Sequence, residues 1–334
     1  MIRYNNLFEK VFAFENLYYA FKKSLKGSGN TLDSSKFNYN YEKELLKLKS
    51  EIQSGIYKPQ KYRYFIITDP KERTISVADF RDRVVHHAII NIIEPIFEKS
   101  FIFHSYATRK NKGTHRAINT AQKYLKNNYY YFKTDVSKYF DSIDHNILID
   151  LIKRKIKDKR LIDLISIIIK NNDISKGINI KKGLPIGNLT SQFFANIYLN
   201  GFDHFIKHKL KVKNYIRYMD DFVIFSNEKH SLKLIREEIT DYLNIELKLS
   251  LKEKATFINT RQNGLPFLGV RIFPELIRIK KENVKRLKKR IKKRENELLT
   301  GKISPKKYTD SVISIVGYLK NYYTYKLMKS LDIR

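Results

Sequence analysis

Two adjacent carboxylates, Asp220 and Asp221, stand between Tyr215-Ile216-Arg217-Tyr218-Met219 and Phe222-Val223-Ile224-Phe225. Aromatic and β-branched flanks suit a pleated, half-buried surface, so the pattern predicts a tight β-hairpin with both acids at its turn. Neighbouring like charges raise each other's pKa and call for a cation. Mg²⁺, a hard ion that takes carboxylate and phosphate oxygens, answers that need. A solvated Asp-Asp turn satisfies the same local pattern, because Asp favours turns for its own reasons. A third acid, Asp135, closes the aromatic run Tyr129-Tyr130-Tyr131-Phe132-Lys133-Thr134-Asp135, at the end of a predicted strand. With the hairpin it would form a split acidic cluster of the kind two-metal phosphoryl transfer requires, the ions about 4 Å apart.

Cationic segments surround these acids in the sequence. Strands predicted over 62–68 and 74–77 enclose the turn Asp69-Pro70-Lys71-Glu72-Arg73, where Lys71 and Arg73 could grip a nucleotide triphosphate or simply be solvated. Arg81 and Arg83 could touch a template backbone or close salt bridges over the following helix, and the second reading is preferred. The loop Ser105 to His115 brings Arg109, Lys110 and Lys112 beside Gly113, which suits phosphate or template contact, while the lone His115 reads as structural. Gly183-Leu184-Pro185-Ile186-Gly187-Asn188-Leu189-Thr190-Ser191-Gln192 is a Gly/Pro-punctuated loop whose glycines permit close approach. Between Lys280 and Lys307 stand 13 Lys+Arg against 3 Glu, with an apolar seam at Val284, Leu287, Ile291 and Leu298. That pattern predicts a helix with one packed stripe and a basic exterior able to track a nucleic-acid backbone.

The elements that must position these residues follow from periodicity. Helices are predicted over 7–21, 41–54, from 79 onward, 114–126, from 144, 193–209, 231–243 and 311–328. The chain has 334 residues, 42% of them hydrophobic, enough for two or three subdomains. Its 66 Lys+Arg against 34 Asp+Glu leave a formal charge of +32, and with 23 Tyr and 21 Phe this points to a polyanionic partner. There is no Cys, which excludes disulfides, thiolate zinc sites and thiol nucleophiles. No apolar run is long enough to span a bilayer and no signal peptide opens the chain, so a cytoplasmic protein that does not engage membranes is expected.

The order of these features, with Tyr218-Met219-Asp220-Asp221, Asp135 upstream and Phe140 five residues after it, resembles that of reverse transcriptases over nearly the whole chain. The resemblance implies an α+β right-hand polymerase: fingers over 1–128 with helices and a hairpin, a palm with an antiparallel sheet over 129–275, and a compact helical thumb over 276–334. Helical segments around 145–182 could belong to the fingers. It further implies two Mg²⁺, with Mn²⁺ as substitute, held by Asp135, Asp220 and the backbone near Val136. Asp220 would be the direct ligand and Asp221 a supporting charge. Lys71 and Arg73 would hold the triphosphate, Phe140 would exclude a 2′-hydroxyl, and Lys254 would protonate pyrophosphate, with Lys252 close enough to compete for that role. Ile186, Gly187 and Gln192 would line the nucleotide. Arg109, Lys112, Arg286, Lys289 and Arg290 would contact template and primer.

Within that superfamily, Leu184 to Gln192 resembles the loop of diversity-generating retroelement reverse transcriptases, where many other families begin the motif Gln-Gly and end it Ser-Pro. The ending Ile315-Val316-Gly317-Tyr318-Leu319-Lys320 resembles that family's thumb. This reading implies a template RNA, an RNA/DNA hybrid, dNTPs and a basic accessory protein, with error-prone copying because Ile186 can only pack where Gln would hydrogen-bond. A defence-associated or group II intron-like bacterial reverse transcriptase is the alternative within the same chemistry. A non-catalytic RNA-binding scaffold is the alternative from another class.

Overall fold

The computed structural model describes residues 2–28, 31–68, 72–171 and 181–322. Two helices, α1 (Phe8–Val11) and α2 (Phe14–Lys26), stand where periodicity predicts one, because Ala13 adopts an extended conformation (φ −58°, ψ 140°) and interrupts the run. Helix α3 (Leu32–Tyr39) lacks an apolar stripe and is announced only by its cap, the Thr31 hydroxyl accepting from Ser34 N. Helix α4 (Tyr41–Gln53) buries Leu45, Leu48 and Ile52 as the spacing predicts. Strands β1 (Arg63–Ile67) and β2 (Arg73–Val77) pair antiparallel, Ile67 opposite Arg73. Lys71, in the connection between them, lies outside the described residues. Helix α5 (Phe80–Glu98) is capped by Asp79, whose Oδ1 accepts from Arg81 N at 3.0 Å.

Helix α6 (Thr114–Asn127) leads to β3 (Tyr130–Asp135) and the short α7 (Tyr139–Ser142). Asp144 and Asp158 cap α8 (His145–Lys153) and α9 (Lys159–Lys170). The helix predicted over 193–209 begins earlier and comes in pieces: α10 (Leu189–Tyr198), α11 (Asn200–His204) and a π-helical turn, Phe205–Lys209. Then follow β4 (Tyr215–Tyr218), β5 (Asp221–Ser226), α12 (Lys229–Leu247), β6 (Phe257–Thr260), β7 (Leu265–Phe267), β8 (Val270–Ile272) and β9 (Ile277–Ile279). Helix α13 (Lys281–Leu299) carries the basic run. Helix α14 (Pro305–Leu319), capped by Ser304, starts at Pro305, six residues before the predicted Ser311 start, and the predicted end at Met328 lies outside the described residues.

Antiparallel sheets and separate helical layers make this an α+β architecture. The chain forms two compact units. The first comprises Met1–Thr108, Val136–Lys211 and Glu238–Lys252. In it α2 packs along α5, pinned by Asn16 Nδ2, which donates to Val11 O at 2.8 Å and Ala88 O at 3.0 Å. Arg81 is spent on Glu51, the packing role preferred for it above. Asp82 is buried but accepts from Tyr57 Oη and Gln60 N, both at 2.7 Å. The second unit comprises Arg109–Asp135, Val212–Glu237 and Glu253–Arg334. It holds a four-stranded antiparallel sheet of order β4-β5-β3-β6, a three-stranded sheet β7-β8-β9, and the α13–α14 pair, which closes on Ile291, Ile315 and Leu319. Among the described residues no helix is long and apolar enough to cross a membrane.

His86 on α5 is buried, and its Nε2 has no hydrogen-bond partner. Burial, reinforced by His87 and Arg83, pushes its pKa down to about 3. The unfolded chain therefore takes up a proton near pH 6.5 that the folded chain refuses, so stability falls as pH drops from about 6.5 toward 3. His86→Leu should flatten this decline by on the order of a few kcal/mol, read as denaturation midpoints across that range. An unchanged slope would mean that His86 does not contribute.

Candidate active site

Strand register decides which acids meet. In the β3–β5 ladder Asp135 lies opposite Asp221, and directly opposed residues share a face of the sheet. In the β4–β5 ladder Tyr218 also lies opposite Asp221, which leaves a two-residue turn of Met219 and Asp220. The expectation of both acids at the turn is thereby corrected. Asp220 occupies it, while Asp221 is already the first residue of β5, since alternation of residue types cannot count where so tight a turn closes. Of the two turn residues only Met219 takes a positive φ, 59°, which is uncommon for a non-glycine residue. The fully buried Arg217 donates from Nη1 to Met219 O at 2.8 Å.

The turn carries the Asp220 carboxyl into hydrogen-bond contact with Asp135. Burial first, then the charge of Asp135 and the bond to it, push the Asp220 pKa well above the ordinary carboxylate range. Asp221 is engaged elsewhere: Lys133 Nζ lies 2.8 Å from its Oδ1. Burial still raises Asp221 to about 6, against the pull of Lys133 and, more weakly, Lys280. Burial lowers the Lys280 pKa in turn, helped by repulsion from Lys133. Among the described residues no group of three or more acidic or imidazole side chains is arranged to hold a metal ion. Asp135 and Asp220 nonetheless fit Mg²⁺, because two carboxyls in contact gain from a hard cation between them, and Mg²⁺ is usually held by one or two carboxylates with the remaining oxygens from water and substrate phosphates.

The first unit gathers several of the proposed nucleotide-binding residues. Phe140, half-buried on α7, accepts at its carbonyl from Leu184 N at 2.8 Å, which fastens the 183–192 loop beneath it. Ile186 O accepts from Ser76 N on β2 at 2.8 Å. Gly187 (φ 115°) is where glycine is required: a Cβ there would stand 2.8 Å from Ile75 Cγ2 and 3.0 Å from Ser76 O. The close approach that its missing side chain allows is to β2. Gln192 is half-buried on α10, Arg73 opens β2 with its side chain exposed, and Val136 is buried and bridged to Leu251. Lys138 holds φ 42° just ahead of α7, a second strained non-glycine residue.

In the second unit Lys254 is exposed on a 3₁₀ turn, Glu253–Ala255. Arg109 and Lys112 are half-buried, Lys112 N donating to Arg109 O at 3.2 Å. Arg286, Lys289 and Arg290 lie on the exposed face of α13, opposite the buried Ile291.

Lys133, Arg217 and Lys280 escape the sequence reading. Lys133 was legible in principle, since it stands two residues before Asp135 on the same face of β3. Removing it should leave the half-buried Asp221 carboxylate without its partner. In chelated buffer, Lys133→Met should therefore lower stability by roughly 3 kcal/mol at pH 8 and less at pH 5, because protonation then neutralises Asp221. Equal losses at both pH values in thermal melts would refute this assignment.

Residues 56–272, which include all three acids, match the family model described as reverse transcriptase (RNA-dependent DNA polymerase). Protein YkfC of Escherichia coli is 30% identical over 270 residues, covering 69% of this chain and 71% of its own length. The group II intron-encoded protein LtrA of Lactococcus lactis subsp. cremoris is 26% identical over 324 residues, covering 77% of this chain and 53% of LtrA, so the chain spans about half that relative. The putative COX1/OXI3 intron 2 protein of Saccharomyces cerevisiae is 30% identical over 192 residues, 56% of this chain and 22% of its own length. The chain belongs to the reverse transcriptase family.

Proposed function

We propose that the chain is an RNA-directed DNA polymerase that extends a primer with dNTPs along a template RNA. The observation that carries this reading is the contact between the Asp135 and Asp220 carboxyls where β3 meets the β4–β5 turn. Asp135, Asp220 and the Val136 backbone would hold two Mg²⁺, or Mn²⁺ in their place, with Asp221 as a supporting charge. When bound, these ions supply positive charge that offsets the reacting phosphate and the departing pyrophosphate. Lys71 and Arg73 hold the triphosphate, Phe140 blocks a 2′-hydroxyl by its bulk, and Lys254 gives a proton to pyrophosphate. Arg109, Lys112, Arg286, Lys289 and Arg290 bind the hybrid's phosphates, in fingers over 1–128, a palm over 129–275 and a thumb over 276–334. Asp220→Asn should lower primer extension at least about 10²-fold while template affinity holds. Extension by neither protein, with the accessory protein supplied, would favour the RNA-binding scaffold, whereas equal extension by both would remove Asp220 from the catalytic role.

The finer setting we propose is a diversity-generating retroelement, with a basic accessory protein. Its support is the Leu184 to Gln192 loop, where Ile186 is fixed through its carbonyl to β2 and offers only an apolar side chain. A group II intron-like role is the second reading, favoured by the printed names of LtrA and the yeast intron protein. Ile186→Gln should cut misincorporation opposite template adenine several-fold in primer extension on a defined RNA. An unchanged adenine error spectrum would remove the link between this loop and fidelity.

A further inference from the structure

Arg217 is the largest fully buried side chain among the described residues, and it lies in β4 two residues before the turn that presents Asp220. Its guanidinium donates to the carbonyl of Met219, the residue held at φ 59°. A buried guanidinium is a poor means of filling a core, since an apolar side chain of similar volume there is often neutral or stabilising. A left-handed methionine is likewise a poor choice for a two-residue turn, because its Cβ crowds the backbone where glycine has none. The two features explain each other: the charge-assisted bond opposes the strain and fixes the peptide that joins Met219 to Asp220.

We propose that Arg217 is the positioning residue of the catalytic hairpin, holding Met219 in its left-handed conformation and so aiming the Asp220 carboxyl at Asp135. The proposal rests on the polymerase reading for its effect on rate, though not for its effect on geometry. Without the bond, the turn is free to relax toward negative φ at Met219, which rotates the next peptide and withdraws Asp220. A displacement of about 1 Å at such a site costs on the order of 10²-fold in rate. A lysine could supply the charge but not the rigid fork of donors, so it should serve only in part.

The test is a cycle of Arg217→Met, Met219→Gly and the double variant, read by Mn²⁺ affinity in electron paramagnetic resonance titrations with dNTP present, by kcat for primer extension, and by melting temperature. Arg217→Met should weaken Mn²⁺ binding and lower kcat about 10²-fold without changing template-primer affinity. Adding Met219→Gly should recover roughly tenfold, because glycine takes φ near 60° unaided. A residue that merely fills the core would give no such recovery. Unaltered Mn²⁺ affinity in Arg217→Met, or no rescue in the double variant, would overturn the proposal. If Arg217→Met fails to fold, Arg217→Lys with and without Met219→Gly completes the same cycle. A wild-type chain that extends no primer would count against the polymerase reading alone, since the Mn²⁺ cycle still decides the role of Arg217.

Discussion

Repulsion between carboxylates is the constraint on which this structure turns. The β3–β5 register sets Asp135 against Asp221, and a two-residue turn then adds Asp220 from above. Three acids in so small a volume oppose folding unless protons or cations intervene. The chain uses both. Burial, then the charge of Asp135 and the bond to it, discourage ionisation of Asp220, while Asp221 is taken by Lys133. That division leaves one acid held by a resident ammonium and the other two in contact with each other.

Other unusual conformations repeat the logic of local strain held by specific bonds. Gly187 and Ile186 are pressed against β2, and the carbonyl of Phe140 is tied to the start of the same loop. Asp135 ends its strand and the chain passes at once to buried Val136, then to Lys138 at positive φ and the turn that carries Phe140. A short stretch thus moves from regular sheet to strained loop within three residues. Such a segment tolerates little change, because each residue's conformation is set by a different neighbour.

The sequence made the acids, the strands that bear them and most helices legible, because periodicity and the Tyr-Met-Asp-Asp pattern are local signals. What it left hidden depends on register. Nothing in 215–226 says whether the turn closes over one acid or both, and the answer comes only from pairing β4 with β5 at Tyr218 and Asp221. Lys133 shares a face of β3 with Asp135, but its partner Asp221 comes from β5 and so depends on strand pairing. Arg217 carries no local signal of its role beyond a charge flanked by Ile216 and Tyr218, and its burial and its bond to the Met219 carbonyl appear only in the folded hairpin. Helix α3 was missed because its apolar residues form no stripe and its cap is a single threonine.

The overall charge of +32 does not explain the site. Exposed surfaces such as the outer face of α13 carry part of that excess, where salt screens it and where it suits a polyanion. Among the described residues, the cations that act on Asp221 are partly buried: Lys133, with its ammonium on it, and Lys280, which burial and Lys133 both discourage from carrying charge. A third ammonium close to Asp135 and Asp220 would compete directly with a metal ion. With Asp221 bound to Lys133, Asp135 and Asp220 are the pair that the proposed Mg²⁺ would take, together with phosphate oxygens that arrive with the nucleotide.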